Sequence, residues 1–246
     1  PKAGLPIFTK YKDGPKVKLR SEEGLPVWVE GKLPETQNLP AGREKQAFAY
    51  LQFIARQMQI REPLVEFNAI ESHIDEQNLQ HITFQQMIAG IEVYGAQIKV
   101  HLNPEGPVLM NGRYFPTPVI SDFIPKVLAE SSVEIVKNDV SRLTKLKNLN
   151  KQELSLVQNN VQVKQQLVIY HKDNNPYSEK LTWHVIIYPN ITHRYEYFVD
   201  AMTGEILHSF ENLCGIYGHN HHSNLNEDHC LDPLDGPTTA NALDLN

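Results

Sequence analysis

The sequence predicts an α+β protein: two consecutive helix-plus-antiparallel-sheet units, with an extended N-terminal arm before them and an irregular C-terminal tail after them. Three observations carry this reading. Apolar residues recur at helical spacing in two separate stretches. Each stretch is followed by short segments of β-type pattern bounded by turn residues. Glycine and proline breakers crowd the first forty residues, and regular patterning stops after Asn212.

The arm, residues 1–42, is broken at Gly4, Pro6, Gly14, Pro15, Gly24, Pro26, Gly31, Pro34 and Pro40. Between these lie only short β-type pieces, Ile7–Phe8, Val17–Leu19 and Val27–Val29. Too little apolar material is present for a core of its own, so the arm is expected to lie on another surface. A first helix is predicted over Arg43–Met58, with Ala47, Phe48, Leu51, Ile54, Ala55 and Met58 on one face and a stop at Arg61–Pro63. Residues from His81 to Phe115 read as an antiparallel meander punctuated by Gly90 and Gly95. Within it Ile98, Val100 and Leu102 alternate with Gln97, Lys99 and His101. Asn103-Pro104-Glu105-Gly106 is a strong hairpin turn, and Asn111-Gly112 is read as a second turn.

The helical period returns from about Ser131 to Leu146, with Val133, Val136, Val140 and Leu143 as the stripe and Ser131 or Ser132 as N-cap. A Lys- and Asn-rich patch, 145–151, reads as a link. Strands follow at Gln166–Tyr170, Leu181–Tyr188, Tyr195–Asp200 and Glu205–Ser209. Their last turn, at Asp200–Gly204, places glycine where φ > 0 is needed.

Composition narrows the function classes. The 246 residues are 41% apolar and 21% charged, the balance of a globular chain. The net charge of −6 argues against nucleic acid as a partner, because phosphate binding needs a basic face. No apolar run reaches the roughly 20 residues that span a bilayer. No signal peptide is present and the sequence starts at Pro1 without a Met, which leaves open whether a leader has been removed. It stops at apolar Leu243 and Leu245 in mid-pattern, which leads us to expect continuation after Asn246.

Enzyme constellations are missing. There is no His-Glu-x-x-His, and no two histidines stand four apart, so no helix can place two imidazoles on one face as a zinc protease helix must. Neither a Gly-x-Ser-x-Gly elbow nor a phosphate-cradling glycine loop occurs. No catalytic residue is expected in this chain. Cys214 and Cys230 flank a polar segment with little to bury. They are either a disulfide, which implies an oxidising compartment, or two free thiols; the need for a staple favours the bridge. Between them stand His219, His221, His222, Asp228 and His229. These are donors suited to zinc or copper, or else a solvated loop at a processing boundary. Asn190-Ile191-Thr192 has the pattern of a glycosylation sequon.

The run His81-Ile82-Thr83-Phe84-Gln85-Gln86, then Gly90-Ile91-Glu92-Val93-Tyr94-Gly95, then Val100-His101-Leu102-Asn103, Gly106 and Asn111-Gly112-Arg113, resembles the fungalysin/thermolysin propeptide motif in order and spacing. Leu181-Thr182-Trp183-His184-Val185, and Tyr195 through Leu207 with its Asp200-Ala201-Met202-Thr203-Gly204 core, resemble a PepSY domain. Asp235–Asn241 and Leu243–Asn246 are similar to the start of mature thermolysin-like enzymes.

The resemblance implies the prosegment of a secreted thermolysin-like zinc protease, a chaperone and inhibitor of its catalytic domain. It implies the divisions 1–42 (arm), 43–130 (propeptide-type domain), 131–212 (PepSY-type domain), 213–235 (junction) and 236–246 (start of the protease). The family-motif positions are Phe84, Gln85, Gln86, Gly90, Gly95, His101, Gly106, Asp200, Thr203 and Gly204. The partner is the cognate catalytic domain. Zinc and calcium belong to that domain, with no cofactor in this chain. The location is secreted or extracellular, with periplasm or cell surface as variants. The rival reading is a free-standing secreted PepSY-type binding or inhibitor module.

Overall fold

The computed structural model of the chain describes residues 14–35, 38–143, 162–189 and 194–211. These residues form a mixed α+β protein, mostly strands with few helices. They fall into two compact units that divide between Val119 and Ile120.

The first unit contains β1 (Lys16–Arg20), β2 (Pro26–Glu30), α1 (Arg43–Met58), the one-turn helix α2 (Pro63–Glu66), β3 (Phe67–Ile74), β4 (Gln80–Ile88), β5 (Ile91–Asn103) and β6 (Gly106–Gly112). Its strands pair antiparallel in the order β1-β2-β6-β5-β4-β3. Helix α1 forms where the apolar period requires it. It ends at Gln59, which turns left-handed and donates its N–H to the carbonyls of Ala55 and Arg56. Its buried face, Ala47, Tyr50, Leu51, Ile54 and Met58, packs with Ile82, Phe84, Ile98, Val100, Leu102 and Met110 into one apolar core. Tyr50, not foreseen on this face, is buried because its hydroxyl donates to the Val29 carbonyl at 3.2 Å.

Three local features depend on strand pairing. First, the residues read as an extended arm lying on another surface form β1 and β2, and Trp28, Val29 and Glu30 pair with Asn111, Met110 and Leu109 of β6. Val29 is fully buried in the first core. Second, Asn111-Gly112 is not a turn. Both residues lie in β6, opposite Lys99 and Ile98. Gly112 is required because a Cβ there would stand 2.4 Å from the Gln97 carbonyl oxygen. Third, the sequence reading missed β3, whose residues after Phe67 are all exposed and so carry no alternating signal.

The second unit contains α3 (Ala129–Leu143), β7 (Gln162–His171), β8 (Glu179–Tyr188), β9 (Tyr195–Asp200) and β10 (Ile206–Glu211), with the strands in chain order and antiparallel. Val136 and Val140 of α3 pack on Val185, Ile187, Tyr195, Tyr197 and Val199. The expected cap at Ser131 or Ser132 is corrected. The helix begins at Ala129, and Ser132 sits inside it, donating to the Ala129 carbonyl. The earlier start follows from the approach, where the N–H groups of Lys126 and Val127 both reach the Ala201 carbonyl. Trp183 is only partly buried: its ring packs at the edge of this core, and its indole N–H donates to the Val127 carbonyl at 2.8 Å.

All six residues of β9 are buried, so both faces of this sheet are covered. Opposite α3, Phe198 stacks on Tyr170 at 4.0 Å and on His184 at 4.8 Å. No helix among the described residues is long and apolar enough to cross a membrane.

Candidate functional site

The densest polar construction lies in the first unit, where β4 meets β5. Gln85 pairs with Gln97, but Met87 pairs with Glu92, so Gln86 alone faces the four residues 93–96 on β5. A bulge this wide strands backbone carbonyls in the interior, where each unpaired polar group is costly. Gln85 resolves this. Its side-chain N–H groups lie 2.9 Å from the Val93 carbonyl and 3.1 Å from that of Ala96, while its carbonyl accepts from Gln97 Nε2 at 3.0 Å. Gln86 turns the other way. Its Nε2 donates to the Phe115 carbonyl at 2.8 Å, and the Phe115 N–H returns to its Oε1 at 3.0 Å. Both glutamines are buried. Gly95 takes φ 65° at the outer corner of the bulge, where Arg113 Nε donates to its carbonyl at 2.9 Å. The pair of glutamines is thus a backbone substitute, and no shorter or purely apolar side chain supplies these bonds.

The other motif positions of this unit also serve the frame. Phe84 is fully buried and meets Phe48 edge-on at 4.9 Å. Ala89 and Gly90, at φ 50° and 80°, make the tight β4–β5 turn, a conformation that favours glycine at the second place. Gly106 closes the β5–β6 hairpin at φ 139°, where the Asn103 side chain accepts from the N–H groups of Glu105 and Gly106.

His101 belongs to a longer arrangement. His73, His81 and His101 are direct cross-strand neighbours on β3, β4 and β5. The His73 and His81 rings stack at 4.8 Å, and those of His81 and His101 meet edge-on at 4.6 Å. His81 Nε2 is 3.0 Å from Asp75 Oδ2, the Nδ1 atoms of His81 and His101 are 2.6 Å apart, and His101 Nε2 is 2.9 Å from Asn111 Oδ1. Burial, more than any neighbour, pushes His101 down to about 4, with Asn111 opposing the shift and His81 adding to it. The hydrogen bond from His81 holds the Asp75 carboxyl below its ordinary value. The sequence reading included His81, Asn111 and Arg113 in a matching run but not this link, because it appears only when three strands are in register. Asp75 carried no sequence signal of this kind.

In the second unit, Asp200 organises the turn between β9 and β10. Its Oδ1 accepts from the N–H groups of Met202 and Thr203, and its Oδ2 accepts from Lys180 at 2.9 Å. Burial works to raise its pKa, but Lys180 and the two backbone donors outweigh this and hold the carboxyl below the usual range. The Thr203 hydroxyl receives the Glu205 N–H, and Gly204 turns at φ 78°. Behind β9, the buried Glu196 takes His184 Nε2 at 2.9 Å and Arg194 at 2.6 Å.

The polar groups of these arrangements bond to backbone and to one another. Among the described residues, no group of three His, Cys, Asp or Glu is placed to hold a metal ion. Cys214, Cys230, His219, His221, His222, Asp228 and His229 lie outside the described residues, as does the Asn190 sequon.

The glutamine-locked bulge and its glycine corners define a structural module. Residues 65–114 match the family model described as the Fungalysin/Thermolysin Propeptide Motif, so the chain carries a propeptide motif of thermolysin-like proteases. The matched span takes in Phe84, Gln85, Gln86, Gly90, Gly95, His101 and Gly106. Among solved structures, the Bacillus megaterium YpeB C-terminal domain is similar at 17% identity and a TM-score of 0.32, over 76% of this chain and 72% of that one. No curated protein sequence matches the chain.

Proposed function

We propose that the chain is the prosegment of a secreted thermolysin-like metalloprotease and acts as intramolecular chaperone and inhibitor of its catalytic domain. The propeptide motif at residues 65–114 is the observation that carries this reading. A protease that digests its own folding intermediates gains from a template that binds the native state and not the unfolded chain. Covalent attachment supplies that template at high effective concentration. A rigid sheet suits the task, because a preorganised surface loses little entropy on docking.

Residues 43–130 and 131–212 are the propeptide-type and PepSY-type domains of this proposal, 213–235 is the junction and 236–246 opens the protease. Cys214 and Cys230 form a disulfide in the secreted protein, which intact mass before and after reduction and alkylation tests. The junction, with His219, His221, His222, Asp228 and His229, runs through the partner's cleft. Zinc and calcium reside in the catalytic domain. The chain itself has no peptidase activity.

The test uses the mature enzyme of the same precursor and a small peptide substrate. Titration with the full chain abolishes activity at micromolar concentration or below, and adding the chain during refolding of the denatured enzyme raises the recovered activity. A chain that neither inhibits nor assists refolding overturns the proposal and favours the free-standing module.

A further inference from the structure

We infer that the cross-strand row His73–His81–His101, closed by Asp75 and Asn111, is an acid-sensitive clasp that holds the tip of the β3–β4 hairpin to β5 at neutral pH and releases it on acidification. The proton inventory of the row follows from its contacts. Asn111 Oδ1 is an acceptor, so His101 Nε2 carries a proton and donates to it at 2.9 Å. His101 Nδ1 faces His81 Nδ1 at 2.6 Å, a contact that holds one proton between the two atoms. The other nitrogen of His81 faces the Asp75 carboxylate at 3.0 Å and donates there. Only one of the two facing Nδ1 atoms can carry a proton at 2.6 Å, so the row is intact only while His81 and His101 are not both doubly protonated.

When both rings are doubly protonated, the Nδ1 proton of His101 has no acceptor, N–H faces N–H at the 2.6 Å contact, and the row breaks between β4 and β5. The groups facing His101 do little to hold such a proton. His81 and Lys99 oppose it, Asp75 lies beyond His81, and Asn111 is uncharged; His73 reaches the row only through its stack on His81. The strained end is local. Asp75 also fixes the hairpin turn, with its Oδ1 accepting from the N–H groups of Gln77 and Leu79, so the turn and the row share one carboxylate. The glutamine-locked bulge lies at the other end of β4 and contains no histidine.

The sign follows from burial. A base whose folded pKa lies below its unfolded value binds fewer protons when folded. The clasp is therefore complete above about pH 6.5, the ordinary histidine value, and is lost as pH falls toward about 4. Isotope-labelled full chain tests this by NMR. At pH 7 the ring-nitrogen spectra show His101 protonated on Nε2. Between pH 6.5 and 4, exchange protection of the 74–82 amides, corrected for intrinsic rates, falls at least tenfold while that of Gln85 and Gln86 holds. Asn111→Asp puts a carboxylate on His101 Nε2 and moves the midpoint of opening up by at least one pH unit. His101→Gln flattens the transition. An ordinary histidine titration of His101 without loss of hairpin protection overturns the clasp, as does an Asn111→Asp midpoint that stays or falls. If His101→Gln fails to fold, the ring-nitrogen pattern and the Asn111→Asp shift decide the matter alone.

Discussion

Gln86 and Phe115 are 29 residues apart and form a closed ring of two hydrogen bonds: the amide of Gln86 donates to the Phe115 carbonyl at 2.8 Å and accepts the Phe115 N–H at 3.0 Å. The side chain thereby acts as a rung of sheet where the wide bulge of β5 leaves Gln86 without a β5 partner.

Gln86→Leu keeps the volume and deletes both bonds in a buried place. The loss of one buried donor contact and one acceptor contact costs about 2–5 kcal/mol in total. Gln86→Glu, which keeps acceptors but not the donor, destabilises as well and regains stability on acidification. Denaturant unfolding of the three chains checks the order; equal midpoints for Gln86→Leu and the unsubstituted chain refute the rung.

Two glycines of the motif region differ in what a methyl group meets. At Gly95 an added Cβ clashes only with the flexible end of Arg113, so Gly95→Ala costs mainly the left-handed backbone, about 1–2 kcal/mol. At Gly112 the added Cβ meets backbone, 2.4 Å from the Gln97 oxygen and 2.6 Å from the Ile98 Cα. Gly112→Ala is therefore the more damaging change, and pairing of β5 with β6 is where the damage appears. Thermal unfolding of both variants gives the ranking.

Asp200 makes the second unit acid-labile. Its carboxyl is held below the ordinary value of about 4, so its contribution is complete above that pH and is lost as pH falls through the lower folded value. Asp200→Asn removes this limb of the stability–pH curve. Asp200→Ala loses the turn bonds too, at about 1–3 kcal/mol. Urea unfolding at pH 3, 5 and 7 separates the two effects.

Trp183 sits at the edge of its core, so Trp183→Ala costs roughly 2–4 kcal/mol, toward the lower end for a large aromatic truncation. Trp183→Phe keeps most of the ring contact but loses the bond to the Val127 carbonyl, at about 1 kcal/mol. A melting temperature unmoved by Trp183→Ala contradicts the packing of α3 on this sheet.

The sequence by itself determined what depends on neighbours along the chain. The 3.6-residue period made α1 and α3 legible, alternation gave β5, and local turn chemistry gave the Asn103–Gly106 and Asp200–Gly204 turns. The order and spacing of Phe84, Gln85, Gln86, Gly90 and Gly95 carried the family resemblance without showing what these residues do. Tertiary structure decided what depends on register between distant strands. β3 was hidden because an exposed edge strand needs no apolar alternation, and Asn111-Gly112 looked like a turn because the close approach of Gln97 and Ile98 that demands glycine comes from another strand. The same register turned three scattered histidines into one row and two adjacent glutamines into opposite-facing rungs. A hydrogen bond needs its partner within about 3 Å, and only the folded sheet brings residues 20 to 30 positions apart to that distance.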